Sequence, residues 1–209
     1  QQHQQELAQM QQRIDQAASR RFLRLVPVLE DLYDRGNASA VMRSSEGMGI
    51  QNVHLIQPST RFKEANRVTQ GADKWVDVKV WKSTPECIGY LRARGFKVCV
   101  TTLNGGRPID EIDFAPPTAV VFGNEKEGVS PEMLRLADEK VFIPMSGFTQ
   151  SFNISVAAAL FIYHVLAEKK RGSGRSSDVE TQEAKILQAL FYLRSVESAE
   201  KILCNKLDQ

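Results

Sequence analysis

The chain has 209 residues, with 27 Lys and Arg against 25 Asp and Glu, a net charge of +2. At 42% apolar and 25% charged residues, the composition is that of an ordinary globular protein and excludes a fibrous or wholly disordered chain. The near-neutral balance gives no overall bias toward nucleic acid, so such contacts must come from local patches.

Residues 1–20 are Gln-rich, with eight Gln in the first sixteen positions, and Leu7, Met10 and Ile14 recur at helical spacing. This predicts a polar helix ending in the basic stretch Arg20, Arg21, Arg24. A solvated helix face explains that stretch as well as an RNA contact does. Leu25–Leu32 reads as a strand. Asn37 is placed to cap a helix through about Met48, closed by Gly49. Val53–Ile56 is a second strand. Trp75-Val-Asp-Val-Lys-Val-Trp81 alternates with period two, as a half-exposed or edge strand does. Ser83-Thr-Pro-Glu86 has the form of a capping box opening a helix that stops at Gly95. Phe96–Thr102 and Thr118–Gly123 are strands of the buried type, Ser130-Pro131 starts a short helix through Ala137, and Val141–Ile143 is a last short strand. Ile154–Lys170 is a helix apolar nearly all round, which demands burial on more than one side. Residues 178–209 read as two short amphipathic helices.

Strands alternating with helices predict an α/β fold with a mostly parallel sheet. The longest apolar run, Ile154 to Ala167, is 14 residues and holds Ser155 and His164, short of the roughly 18 that a membrane span needs. Cys87, Cys99 and Cys204 form no CxxC pair, so neither a disulfide framework nor a zinc ribbon is expected, and a reducing compartment is the natural reading. His3, His54 and His164 lack metal-ligand spacing, so no metal is expected. The chain begins with Gln rather than Met and reads as a fragment of something longer. Cytoplasm is the expected compartment, with an organellar one left open.

Three loops carry the chemistry-bearing residues. Gly123-Asn-Glu-Lys-Glu-Gly128 follows a buried strand, where ligands bind in open parallel sheets, and its glycines admit a close backbone approach. Neither this loop nor Gly105-Gly106 forms a GxGxxG fingerprint. Ile143-Pro-Met-Ser-Gly147 runs through Ser151 and Asn153 into the apolar helix, and either Ser151 or Asn153 can cap it. Backbone N–H groups there can also hold a carboxylate. The third loop is Asn37 through Arg43.

Taken in order, these three loops resemble the three motifs of the SpoU family of RNA ribose 2′-O-methyltransferases. They are Asn37 to Arg43 with Ser44-Ser-Glu-Gly-Met-Gly49, then Thr118-Ala-Val-Val-Phe-Gly-Asn-Glu-Lys-Glu-Gly-Val-Ser130, then Ile143-Pro-Met-Ser-Gly147 through Ser151-Phe-Asn-Ile-Ser-Val-Ala-Ala-Ala159. The likeness runs from about Val28 to Lys170. It is nearest to the TrmH type, the tRNA (guanosine-2′-O-)-methyltransferases. Two departures stand out: Phe152 where the family more often has Leu, and Leu32-Tyr-Asp-Arg-Gly36 where the TrmH type usually carries His, Lys and Pro.

The resemblance implies an α/β knot of the SPOUT class, with a deep trefoil knot formed by the segment after Val141. It places a helical extension at 1–24, the catalytic domain at 25–172 and a second helical extension at 173–209. It implies S-adenosylmethionine as cofactor, held by Thr102, Leu103, Gly123, Asn124, Gly128, Ile143, Met145, Ser151 and Phe152, and a homodimer, which agrees with the all-round apolar helix. The implied activity is methylation of a tRNA ribose 2′-hydroxyl, at the guanosine in position 18 of the D-loop. The same chemistry on ribosomal RNA, or a non-catalytic RNA-binding role, are the alternatives. Arg43, Asn37, Glu125, Ser151 and Asn153 are the implied catalytic residues, with Arg43 acting in the site of the partner subunit. A guanidinium stays protonated at any ordinary pH, so Arg43 is expected to grip the adjacent phosphate and orient the hydroxyl, with Asn37 orienting Arg43, Glu125 anchoring the site, and the base left open. Expected RNA contacts are Arg20, Arg21, Arg24, Arg61, Lys63, Arg67, Lys169, Lys170 and Arg171. Residues 61–82 hold six basic and three acidic residues, a local +3.

Overall fold

Short runs of β-branched residues become the strands of one sheet, and every strand pairing in it is parallel. The computed structural model describes residues 2–57, 74–103 and 105–195. Those within 23–175 form one unit, and those within 1–22 and 176–209 form another.

The larger unit holds the sheet: β1 Leu25–Glu30, β2 Asn52–Ile56, β3 Asp77–Trp81, β4 Lys97–Thr101, β5 Arg107–Pro108, β6 Thr118–Phe122 and β7 Glu139–Phe142. Their order is β3-β2-β1-β6-β4-β7-β5. The central strands β1 and β6 are buried along their whole length, which is why they read as unbroken apolar runs. β3 lies at an edge and is mostly exposed or half-buried, which its period-two pattern anticipated.

Helices α2 (Arg35–Gly47), α3 (Thr84–Arg92) and α4 (Pro131–Leu136) join strands of this sheet, and α5 (Ile154–Ser173) follows the last of them. Val26, Val28, Val98, Val100 and Val121 of the sheet pack with Cys87, Ile88 and Leu91 of α3 and Met133 of α4 in one buried cluster. Phe161 of α5 meets Phe122 edge to face, with ring centroids 5.7 Å apart. Cys87 and Cys99 are buried free thiols, and burial pushes both up to about 12. Among the described residues no helix is long and apolar enough to cross a membrane.

The smaller unit packs α1 (Gln2–Ser19) against α6 (Thr181–Ser195). Ile14, Ala18, Phe22, Leu187 and Phe191 are its buried apolar residues among those described, and Arg21 is buried with them. The second tail helix expected after α6, and Cys204, lie outside the described residues.

Several local expectations are corrected. Asp34, not Asn37, is the N-cap of α2, accepting the Gly36 N–H at 2.7 Å. Ser83 holds the N-cap position of α3 but makes no side-chain cap bond; its neighbour Thr84 donates to Glu30 at 2.7 Å instead. β5 was unexpected, because two residues are too short to show a period. The last strand starts at Glu139 rather than Val141. β7 lies between β4 and β5 although it follows both in the chain. The link from β4 to β5 crosses close by: a Cβ on Gly106 would stand 2.8 Å from the Lys140 carbonyl oxygen.

Candidate active site

The carboxyl ends of β4, β6 and β7 open into a cavity of about 740 Å³, within the roughly 300–1,000 Å³ of small-molecule sites. Thr102, Leu103, Gly123, Asn124, Gly128, Ile143, Met145, Ser151 and Phe152 all line it, so the structure brings the nine expected cofactor residues around one space. Sequence reasoning missed Lys126, Glu127, Gln150 and Phe161, which line the same cavity.

One wall is the turn after β6. Asn124 and Gly128 exchange two backbone hydrogen bonds of 2.8 Å each. A Cβ on Gly123 would overlap the backbone of Gly128 and Val129, so only glycine closes this turn. Gly128 has φ +72°, the left-handed region that glycine tolerates without cost. The Asn124 side chain accepts from the Lys126 N–H at 2.9 Å and donates to the Asp31 carbonyl at 2.7 Å.

Glu125 then reaches from this turn to the start of α2. Its carboxylate accepts the N–H of Tyr33 at 2.8 Å, the N–H of Asp34 at 3.3 Å and the Asn37 side-chain amide at 2.8 Å. Burial pushes the Glu125 carboxyl upward, but these hydrogen bonds outweigh it and hold the group below the usual range. It is therefore ionised near neutral pH and sits where the α2 dipole favours negative charge. Asn37 is buried and passes the chain on: its oxygen accepts from the Asn153 amide at 3.2 Å. Asn153 caps α5 as well, accepting the Ser155 N–H at 2.9 Å. Glu125, Asn37 and Asn153 are thus tied in one hydrogen-bonded line, from three segments far apart in sequence.

A second carboxylate, also missed, supports the same turn. Glu30, 4% exposed at the end of β1, accepts from the Thr84 hydroxyl at 2.7 Å, the Ser130 N–H at 2.8 Å and the Ser130 hydroxyl at 2.8 Å. Ser130 in turn caps α4 by accepting the Met133 N–H at 3.0 Å. The only signal in the sequence was an acidic residue closing an apolar strand.

Other expected residues fall elsewhere. Ser151 lines the cavity, is exposed and does not cap α5. Arg43 is exposed on α2, with no hydrogen-bond or ion-pair partner among the described residues, and it is not part of the cavity wall of its own chain. Asn37 bonds to Glu125 and Asn153 rather than to Arg43. Arg21 is 3% exposed, its guanidinium 5.0 Å from the Phe191 ring centroid; it packs the smaller unit and is not placed to meet a phosphate. Lys169 donates to the carbonyls of Ala115 and Pro116. Arg171 pairs with Glu168 at 2.8 Å on an exposed helix face. Arg20 and Lys170 are exposed, and Arg24 is half-buried. Arg61, Lys63 and Arg67 lie outside the described residues.

The SpoU rRNA Methylase family model matches residues 24–163, most of the chain. The chain belongs to this family. Among SpoU relatives, a tRNA (guanosine(18)-2′-O)-methyltransferase of Thermus thermophilus is 38% identical over 160 residues, 76% of this chain and 81% of the relative. The Escherichia coli protein of that name is 32% identical over 159 residues, 76% of this chain and 69% of the relative. The crystal structure of the Aquifex aeolicus TrmH/SpoU tRNA modifying enzyme superposes with a TM-score of 0.79 at 28% identity, covering 91% of this chain and 99% of that one. An AdoMet-bound rRNA methyltransferase from Sinorhizobium meliloti superposes with a TM-score of 0.63 at 25% identity, covering 69% of this chain and 56% of that one. In this SpoU protein Glu125 and Asn153 line the cavity, and Asn37 ties them together from behind its wall.

Proposed function

We propose that the chain is an S-adenosylmethionine-dependent tRNA ribose 2′-O-methyltransferase that acts on the guanosine at position 18 of the D-loop. The observation that carries this reading is the cavity at the strand ends, walled by a turn that hydrogen bonds hold in place. The names of the bacterial relatives supply the nucleotide.

The residues present fit that cofactor. Gly123 keeps side chains away from the cavity floor, so a planar adenine can approach backbone. Leu103, Ile143, Met145 and Phe152 offer apolar surface, and Thr102, Asn124 and Ser151 offer polar groups for the ribose and amino-acid parts. S-adenosylmethionine supplies a sulfonium-bound methyl, an electrophile already activated.

The chain's own work is then positioning. Ionised Glu125 fixes the α2 start against the cavity wall through charge-assisted hydrogen bonds. Asn37 and Asn153 hold the start of α5 to the same point. Arg43, always protonated, grips the phosphate beside the target ribose and orients its 2′-hydroxyl. It does so in the cavity of a second copy. Val156, Leu160 and Tyr163 of α5 are exposed and form, with Ala40, Ser44 and Met48 of α2, a groove of about 440 Å³. A second copy seated there covers the apolar side of α5 that its sequence demands be buried. Exposed Arg20, Lys170 and Arg171 serve as phosphate contacts, whose contribution falls as salt rises.

The position of β7 between β4 and β5, with the β4–β5 link pressed against Lys140 of β7, supports a knotted chain in this reading. Such threading is a rare exception among folds.

Methyl transfer from labelled cofactor to total tRNA and to ribosomal RNA, followed by mapping of the modified nucleotide, tests the reading. Label in tRNA at the D-loop guanosine is expected; label in ribosomal RNA alone would replace the substrate. Arg43→Ala should keep cofactor binding and nearly abolish transfer, and turnover at the wild-type rate would overturn its role.

A further inference from the structure

Tyr33 stands at the turn between β1 and α2 with its side chain unused by the fold. It is 67% exposed, and its phenol has no hydrogen-bond partner among the described residues. Its backbone is nonetheless fixed, because the Tyr33 N–H donates to Glu125 at 2.8 Å. Lys126 lines the cavity and places its Nζ 4.3 Å from the Tyr33 ring centroid. An exposed aromatic ring on an anchored backbone therefore stands against a cavity-lining ammonium, beside the opening that must admit a nucleotide.

We propose that Tyr33 and Lys126 form a nucleoside subsite at this rim, where the ring stacks on a nucleobase of the RNA substrate and the ammonium takes a phosphate oxygen of the same strand. The inference rests on the tRNA reading above. An aromatic face and an adjacent cation are the two elements by which proteins hold single-stranded nucleotides, and an unstacked base in a loop offers its π-face to such a platform. The contact is tolerant of base identity, because every base has such a face. It acts by holding the loop at the cavity mouth, while the choice of nucleotide is made elsewhere. Lys126 is exposed, so the ammonium can exchange its cation–π contact for a phosphate.

Steady-state methylation of a tRNA transcript tests this. Tyr33→Ala is expected to raise KM for tRNA about tenfold, with kcat and the cofactor Kd within twofold of wild type, since the backbone bond to Glu125 survives the truncation. Tyr33→Phe should keep the wild-type KM. Lys126→Ala should reduce by about one the slope of log affinity for tRNA against log salt. An unchanged KM in Tyr33→Ala would overturn the subsite, and a loss in Tyr33→Phe equal to that in Tyr33→Ala would overturn stacking as its basis. If the wild-type chain methylates no tRNA, the substrate reading fails and the subsite with it; if it does so and only the variant result fails, the subsite alone is lost.

Discussion

The two loops that wall the cavity are built on opposite terms. Residues 123–130 are held at every step: by the Gly123 crossing, by the paired bonds of Asn124 and Gly128, by Glu125 on three donors of the α2 start, and by Ser130 on Glu30. Residues 143–152 have no hydrogen-bond partner among the described residues, and Phe148 is fully exposed. The difference assigns preorganisation to the first wall and adaptability to the second. A wall that fixes reacting geometry must be determined by its surroundings before a ligand arrives, whereas a wall that only encloses a ligand can take its shape from it.

The comparison breaks most sharply at Glu30. Glu30→Ala would leave the Thr84 hydroxyl and both Ser130 donors without a buried acceptor, a cost of about 3–5 kcal/mol. Chemical denaturation should show that loss, and amide exchange should show residues 123–130 becoming as open as residues 143–152. Retained protection there would mean that the turn does not depend on its carboxylate.

Acid tests whether the sheet beneath both loops can be weakened without separating them. Burial first, then Lys79 and Arg94, lower the His54 pKa from 6.5 to about 4. The folded protein therefore holds its proton less tightly than the unfolded chain. This group's contribution is fully present above pH 6.5 and is lost as pH falls toward 4, about 3 kcal/mol in all. Unfolding measured from pH 6.5 down to 4.5 should move both loops together; the tied turn should respond separately only as pH falls below 4.5, the ordinary value beneath which Glu125 is held, when that carboxylate takes up a proton.

Gly123→Ala strikes the tied wall from within. The added Cβ must displace the backbone of residues 128–129, and a shift of that kind is expected to lower methyl transfer about a hundredfold. Cofactor affinity measured alongside should fall too, and unaltered transfer would show the turn to be less constrained than its packing indicates. At the other extreme, Phe148→Ser on the open wall should change folding stability by less than about 0.5 kcal/mol. A larger loss in the isolated protomer would reveal packing that the comparison denies.

Much of this arrangement was legible in the sequence, where the deciding signal was local. Continuous apolar runs marked β1, β4 and β6; alternation marked β3; glycines marked the turn at residues 123–128. What escaped was set by partners far along the chain. Asn37 has the local look of a helix cap, and nothing near it says that Asp34 takes the cap while its own amide goes to Glu125, 88 residues away. Ser83 completes a capping pattern, yet Thr84 leaves that pattern for Glu30, 54 residues away. Tyr33 read as a departure from the TrmH pattern, and its place at the cavity rim depends on the Glu125 bond. Arg21 looked like one more surface cation in a basic stretch, whereas Phe191 of a helix at the other end of the chain buries it.

The place of β7 also sets an order of assembly. β5 pairs with β7 alone, so the two residues of β5 have no ladder until residues 139–142 have been made and inserted. During synthesis the β4 edge must therefore stay unpaired while the following forty or so residues emerge, a long-range pairing of the kind that slows folding. The cavity wall contributed by residues 143–153 can close only after that insertion. A ligand for the cavity consequently recognises only chains in which β7 is in place, and its binding rate to newly refolded protein is a clock for that strand.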